Sequence, residues 1–104
     1  MHPLIANQRQ QIAAVCQRFG VKRLEVFGSI VRGDFDAAAS DVDVVVEFEH
    51  GLTGSPLRRY FDLKAELERV LGRPVDIIEL GAMADTRLKR IIERTKVPVY
   101  AAPG

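Results

Sequence analysis

Two aspartates that could bind a metal ion stand at the head of a strongly apolar segment, residues 40–48, which has the sequence Ser-Asp-Val-Asp-Val-Val-Val-Glu-Phe. On a strand, side chains two positions apart point to the same face, and a rise of about 3.3 Å per residue puts the α-carbons of Asp41 and Asp43 roughly 6 to 7 Å apart. Mg²⁺ prefers oxygen ligands and is usually bound by one or two carboxylates together with the substrate's phosphates. The pair therefore predicts half of a magnesium site.

A third carboxylate, Asp76, comes second in a later apolar segment, residues 75–80. A predicted helix separates this segment from the first one, and such strand, helix, strand units favour parallel neighbouring strands whose N-terminal ends lie together. Asp76 is then expected beside Asp41 and Asp43. Three carboxylates are enough to hold two metal ions about 4 Å apart and to accept a proton from an attacking hydroxyl.

A Gly-Ser pair, Gly28 and Ser29, lies between a predicted strand and a short helix and could bind phosphate. Glycine lets the backbone approach a ligand closely, and the first turn of a helix presents free N–H groups to an anion. Arg32 adds a guanidinium that can contact phosphate oxygens. We expect a triphosphate at this turn to meet metal ions held by Asp41 and Asp43.

Each of these features is common by itself. An isolated Asp-x-Asp pair occurs at solvated strand ends, Gly-Ser is a frequent turn, and one aspartate such as Asp76 is most often a capping or salt-bridging residue. Their joint order along the chain favours the functional interpretation, which is metal-assisted nucleotidyl transfer.

The elements that must position these residues follow from hydrophobic periodicity and from capping residues. The pattern predicts a helix over residues 3–19 ended by Gly20, a short helix after Ser29, a helix that begins at Ser55-Pro56 and ends at Gly72, and a last helix capped by Asp85 with Leu88, Ile91 and Ile92 on its inner face. Strands are predicted over residues 21–27, 42–48, 75–80 and 97–101, with a loop over residues 34–40. The fold class is α/β or α+β, a small mixed sheet with helices packed on it.

Composition sets limits on the class of protein. A chain of 104 residues fits a single domain over residues 1–104, and 47% hydrophobic with 28% charged residues is typical of a globular protein. The net charge of +1 creates no general field for a nucleic acid backbone, so no direct nucleic acid binding is expected. The longest apolar run, Ile12 to Cys16, is too short to span a membrane, and with no signal peptide the expected location is the cytoplasm. Cys16 is expected to be a buried thiol.

These motifs resemble those of the minimal nucleotidyltransferase (MNT) family of the DNA polymerase beta superfamily, whose hallmark is Gly-Ser, a spacer and Asp-x-Asp. The similarity covers nearly the whole chain and includes Arg32-Gly33, Ser40, the run from Gly72 to Asp76 and the closing Val97 to Tyr100. It implies a polymerase beta-like fold, with Asp41, Asp43 and Asp76 as catalytic metal ligands and Gly28, Ser29, Arg32 and Ser40 at the nucleotide. The spacer from Ser29 to Asp41 is one residue longer than in the commoner form, with the extra residue among residues 37–39.

The resemblance also implies a partner. Proteins of this kind are typically encoded beside a HEPN-domain partner and act as its antitoxin, and the better understood members transfer AMP from ATP to a tyrosine of that partner. For this chain we expect an in-line transfer assisted by two Mg²⁺ ions. The chain could then form a hetero-oligomer with its partner. Two alternatives stay open, which are a non-catalytic antitoxin that masks its partner by binding and a nucleotidyltransferase for a small molecule.

Overall fold

A four-stranded mixed sheet, with the strand order β3-β2-β1-β4, forms the centre of the protein in a computed structural model that describes residues 1–36 and 38–103. The helices are α1 (Pro3–Ala6), α2 (Arg9–Arg18), α3 (Ser29–Arg32), α4 (Pro56–Leu71) and α5 (Arg87–Thr95), and the strands are β1 (Val21–Phe27), β2 (Val42–Phe48), β3 (Val75–Ile78) and β4 (Val97–Ala101). A 3-10 turn covers Leu80–Ala82. The predicted fold class is confirmed.

The sheet is mixed because only one of its strand pairs is parallel. Strand β1 pairs antiparallel with β2 and with β4, whereas β2 and β3 are joined by the α4 crossover and run parallel. The parallel alignment of β2 and β3 agrees with the prediction. Strand β3 ends at Ile78, two residues earlier than predicted, because the chain turns into the 3-10 segment at Leu80.

Helix α4 begins and ends where its sequence predicts. The Ser55 side chain accepts a hydrogen bond from the amide of Arg58, Pro56 occupies the first helical position, and Gly72 ends the helix with a left-handed φ of +68°. On its inner face, Leu63, Leu67 and Leu71 are buried.

The predicted single helix over residues 3–19 is wrong, because the chain forms two helices with a break at Asn7 and Gln8. One turn after the buried Ile5, the residues that would face the core are Gln8 and Arg9. No apolar contact therefore holds that turn in the helix, and asparagine is a weak helix former. Helix α2 ends before Gly20, as expected, and buries Ile12, Val15 and Cys16.

The main core lies between one face of the sheet and helices α2 and α4. Strand residues Leu24, Val26, Val44 and Val46 pack there, and so does Cys16, whose thiol is fully buried. Burial raises the pKa of that thiol to about 12, which agrees with its predicted role as a small hydrophobe. Because side chains alternate along a strand, the residues between these core positions point to the opposite face, which we call the second face.

Helix α5 differs from the prediction in two respects. Its first turn is capped by the Thr86 side chain, which accepts from the amide of Lys89, and not by Asp85. Ile92 is buried, but Leu88 is 57% exposed and Ile91 is 37% exposed. The prediction that Leu88 and Ile91 lie on the inner face is therefore wrong, because hydrophobic periodicity does not say how much of the apolar side of a helix meets another element.

The outer edge of β3 is closed by side chains from α4. Lys64 Nζ and the Tyr60 hydroxyl donate to the carbonyl oxygens of Val75 and Ile77, while Glu68 Oε2 accepts from the amide of Val75. These contacts satisfy backbone groups that would otherwise be open to another strand, and they fix β3 against α4. Among the residues that the structure describes, no helix is long and apolar enough to cross a membrane.

Candidate active site

Three strand ends meet at one edge of the second face and bring the predicted carboxylates together. Asp43 lies opposite Phe27, the last residue of β1, and on its other side it lies opposite Asp76, the second residue of β3. Asp41 immediately precedes β2 and is exposed. Since Asp43 and Asp76 share one register position on parallel strands, their side chains stand side by side on the same face.

The electrostatics of this edge centre on Asp43, which is half-buried. Its pKa is raised above the ordinary value, first by burial, then by the negative charge of Asp76 and then by that of Asp41, whereas Arg32 opposes the shift. The negative charges of Asp76 and Asp41 therefore both repel the negative charge of Asp43. A bound cation would relieve this repulsion.

Gly28 lies directly against the Asp43 carboxylate. Its backbone has φ +77° and ψ −148°, a region that is essentially restricted to glycine, and a Cβ atom added here would overlap the Asp43 carboxylate. The turn can therefore form beside Asp43 only with glycine at this position. Helix α3 starts at the next residue, so its N-terminal end adjoins the carboxylates. The amides of Val31 and Arg32 donate to the carbonyl of Gly28 and so close this first turn.

We expect the variant Gly28→Ala to lose more stability than Gly33→Ala. Both glycines have positive φ, but Gly33 has open space around it, so alanine there costs only the left-handed conformation, about 1 to 2 kcal/mol. At Gly28 the rarer conformation and the overlap with Asp43 should add about 1 to 3 kcal/mol. Urea unfolding of the two variants measures the difference, and equal losses would show that Gly28 does not press against Asp43.

Arg32 and Ser40, both predicted at the nucleotide, have partners within the loop after α3. Arg32 Nε lies 3.4 Å from Asp34 Oδ1, in an exposed ion pair. The Ser40 hydroxyl accepts from the amide of Asp36 at 2.9 Å, and the Ser40 amide donates to the carbonyl of Asp36. Ser40 thus closes the loop just before Asp41. In the predicted spacer insertion at residues 37–39, residue 37 lies outside the described residues.

Aromatic contacts anchor this loop to the start of β3, and no sequence signal pointed to them. The guanidinium of Arg73 lies 5.1 Å from the centre of the Phe35 ring, and the His2 ring packs edge-on against Phe35, also at 5.1 Å. The stack links the N-terminus, the loop and the residue that leads into β3. It helps to hold Asp41 and Asp76 at the same edge.

Within residues 1–36 and 38–103, no three His, Cys, Asp or Glu side chains converge closely enough to hold an ion by themselves. Mg²⁺ keeps several waters and takes one or two carboxylates plus phosphate oxygens from a substrate, and Asp43 and Asp76 lie where they could supply such carboxylates. The residues present are therefore compatible with a cation that binds together with a nucleotide.

Comparison with known sequences identifies relatives. A family profile described as Nucleotidyltransferase domain matches residues 8–99. A Methanocaldococcus jannaschii protein that carries the provisional name of a protein adenylyltransferase is 36% identical over 84 residues, which is 81% of this chain and 86% of the relative. The protein adenylyltransferase MntA of Thermococcus cleftensis is 36% identical over 76 residues, or 73% of either chain.

Comparison with solved structures agrees. A structure described provisionally as a minimal nucleotidyltransferase has a TM-score of 0.73 and 36% identity, with 89% of this chain and 90% of that chain covered. A toxin–antitoxin complex with AMP-PNP has the same fold, with a TM-score of 0.67 at 20% identity over 90% of this chain and 73% of that one. With the profile covering most of its length, this chain belongs to the nucleotidyltransferase domain family.

Proposed function

We propose that this protein is an antitoxin that transfers AMP from ATP to a tyrosine hydroxyl of a HEPN-type toxin. Two curated relatives at 36% identity are named as protein adenylyltransferases, one of them provisionally. Among the structural neighbours is a tri-AMPylated HEPN toxin of Shewanella oneidensis in complex with its MNT antitoxin, at a TM-score of 0.64 and 18% identity. ATP as the donor implies the cytoplasm, where ATP is available.

The observation that carries the proposal is the alignment of Asp43 opposite Asp76, with Gly28 packed against Asp43. Carboxylates and the Gly28-Ser29 turn, which we propose binds phosphate, thus lie at one edge of the sheet, and this supports transfer of a nucleotide. Asp41, Asp43 and Asp76 would hold two Mg²⁺ ions, and Gly28, Ser29, Arg32 and Ser40 would line the triphosphate. When bound, the metal ions supply positive charge to the attacking and the leaving oxygens.

The chain's own residues then orient the reacting groups. Amides at the start of α3 and the guanidinium of Arg32 bind phosphate oxygens of the triphosphate, which helps to keep pyrophosphate aligned as the leaving group. The hydroxyl oxygen of the acceptor forms a bond to the α-phosphorus while the bond from that phosphorus to the pyrophosphate oxygen breaks. Asp76 accepts the hydroxyl proton, since it is exposed at the side of the site away from β1.

The acceptor comes from the partner in this proposal. At 104 residues the chain forms one small sheet with its helices, and the carboxylate edge is open on the second face. A tyrosine on a second protein can reach that edge, which makes the functional unit a hetero-oligomer of transferase and toxin.

The direct test is the intact mass of the partner. The purified HEPN protein is incubated with this protein, Mg²⁺ and each nucleoside triphosphate in turn, and its mass is recorded by mass spectrometry. With ATP we expect the mass of the partner to increase by one or more AMP groups. When EDTA is present during the incubation, we expect no increase. If the partner's mass stays unchanged while the mixture still suppresses its toxicity, the protein neutralises by binding alone.

A further inference from the structure

A groove lies on the second face, farther along β2 than the carboxylates, and its occupant is not explained by nucleotide binding. It has a volume of about 560 Å³. Val45 contributes to its floor, Leu80 and Ala82 of the 3-10 turn contribute to one wall, and Glu93 and Lys96 line it near the end of α5. Val45 lies two residues beyond Asp43 on the same face, which is about 7 Å along the strand. The groove therefore lies on the same face as the candidate active site, farther along β2.

The charges that line this groove leave a negative excess. Lys96 Nζ lies 2.6 Å from Glu25 Oε2, and Arg23 lies 2.5 Å from Glu47 Oε1, so each cation of the groove already has a carboxylate partner. Glu79 and Glu93 also line the groove, and neither forms an ion pair with any described residue. Both are exposed, so an incoming cation can reach them. Glu93 also lines a neighbouring cavity with Arg87, Arg90 and Arg94, which leaves Glu79 as the carboxylate farther from basic side chains of α5.

The ion pair between Glu25 and Lys96 explains why this groove keeps its shape. The two side chains are only 12% and 24% exposed, and their pairing joins β1 to the residue that follows α5. Val45, which is 5% exposed, is buried under this arrangement and away from the main core. The groove thus has an apolar floor, two neutralised pairs and two unpaired carboxylates.

We infer that this groove binds the acceptor segment of the protein substrate, and that Glu79 and Glu93 select a segment with basic residues near its hydroxyl. The inference rests on the proposed function and names the class of its acceptor. From the level of Asp43 to that of Glu47 an extended chain covers about 13 Å, or four residues. The basic side chains should therefore lie within about four positions of the acceptor. A nucleic acid is disfavoured because its phosphates would meet the same carboxylates.

The first test is an NMR titration of the full chain with two hexapeptides, Lys-Arg-Ala-Tyr-Arg-Lys and Glu-Asp-Ala-Tyr-Asp-Glu. We expect the basic peptide to shift the amide signals of residues 79–82 and 93–96, and the acidic peptide to leave them unchanged. The variants Glu79→Gln and Glu93→Gln should each raise the Kd of the basic peptide about threefold or more. Glu49→Gln is the matched control, because Glu49 is exposed and outside the groove, and it should change the Kd less than twofold.

The second test separates this inference from the proposed function. With the protein partner as acceptor, Glu79→Gln and Glu93→Gln should raise the KM for the partner while kcat and the KM for ATP stay within twofold of the native protein. Native AMP transfer with an unchanged partner KM in both variants would overturn the groove assignment and leave the proposed function standing. Peptide binding in the groove without any AMP transfer to the partner would overturn the proposed function and leave the groove assignment standing. Signals of residues 79–82 that respond to ATP and not to the basic peptide would also overturn the assignment.

Discussion

The variant Asp43→Asn is expected to lose AMP transfer by a factor of about 10³ or more while it keeps the fold. Asp43 lies at the centre of the edge, between Phe27 and Asp76, and a neutral amide cannot supply the negative charge that a magnesium site needs. A loss of about 4 kcal/mol of transition-state stabilisation corresponds to that factor. The rate of AMP incorporation into the partner measures it, and full activity of the variant would remove Asp43 from the mechanism.

The free energy of unfolding of Asp43→Asn, in contrast to its transfer activity, should increase. Since burial and the charges of Asp76 and Asp41 raise the pKa of Asp43, the folded state holds the proton more tightly than the unfolded state does. The native protein therefore loses stability as the pH rises through that raised pKa, and the Asn variant does not. In urea unfolding without Mg²⁺, the free energy of unfolding of the variant should rise relative to that of the native protein as the pH increases from the ordinary carboxyl pKa through the raised pKa of Asp43.

A matched substitution elsewhere checks that these effects belong to the site. Asp62 on α4 forms an exposed ion pair with Arg58 at 3.5 Å, and such pairs contribute little. The variant Asp62→Asn should therefore transfer AMP at the native rate. A comparable loss of transfer in Asp62→Asn would point to a general effect of removing negative charge.

Those parts of the fold that depend on local chemistry could be predicted from the sequence. The ends of α4 follow from its capping residues Ser55, Pro56 and Gly72. The order strand, helix, strand is enough to predict Asp76 beside Asp43. What periodicity could not supply was the surface against which a helix packs. Leu88 and Ile91 have the spacing of core residues, yet α5 buries only Ile92.

The features that could not be predicted from the sequence depend on tertiary contacts between distant segments. The sequence marked Gly28 as a turn residue, but the reason for glycine is the Asp43 carboxylate across the strand pair, a contact that depends on the φ and ψ of one residue. The stack of Arg73 on Phe35 joins side chains that carry no motif. The groove likewise depends on where α5 ends, because Lys96 must meet Glu25 across 71 positions of the chain.

The variant Asp76→Asn should separate nucleotide binding from transfer. The phosphate turn and the pair Asp41 and Asp43 remain, so ATP affinity should stay within about threefold of the native value, whereas loss of the proton acceptor should slow transfer by about 10² to 10⁴. Calorimetry with a non-hydrolysable ATP analogue and the rate of partner modification give the two numbers. Asp85→Asn, which removes an exposed partner of Arg90, is the matched control and should change neither.

Two outcomes for Asp76→Asn would contradict the assignment of Asp76 as the proton acceptor. Native transfer would exclude Asp76 as the proton acceptor, and loss of ATP binding as severe as in Asp43→Asn would make Asp76 part of the nucleotide site instead.

The charge of Asp76 is, after burial, the largest cause of the raised pKa of Asp43. Removing it should therefore lower the pKa of Asp43 in the metal-free protein, a shift that NMR titration of the Asp43 carboxyl carbon can follow. That shift requires the two side chains to stand next to each other, so its absence would contradict the parallel register of β2 and β3 on which the whole site depends.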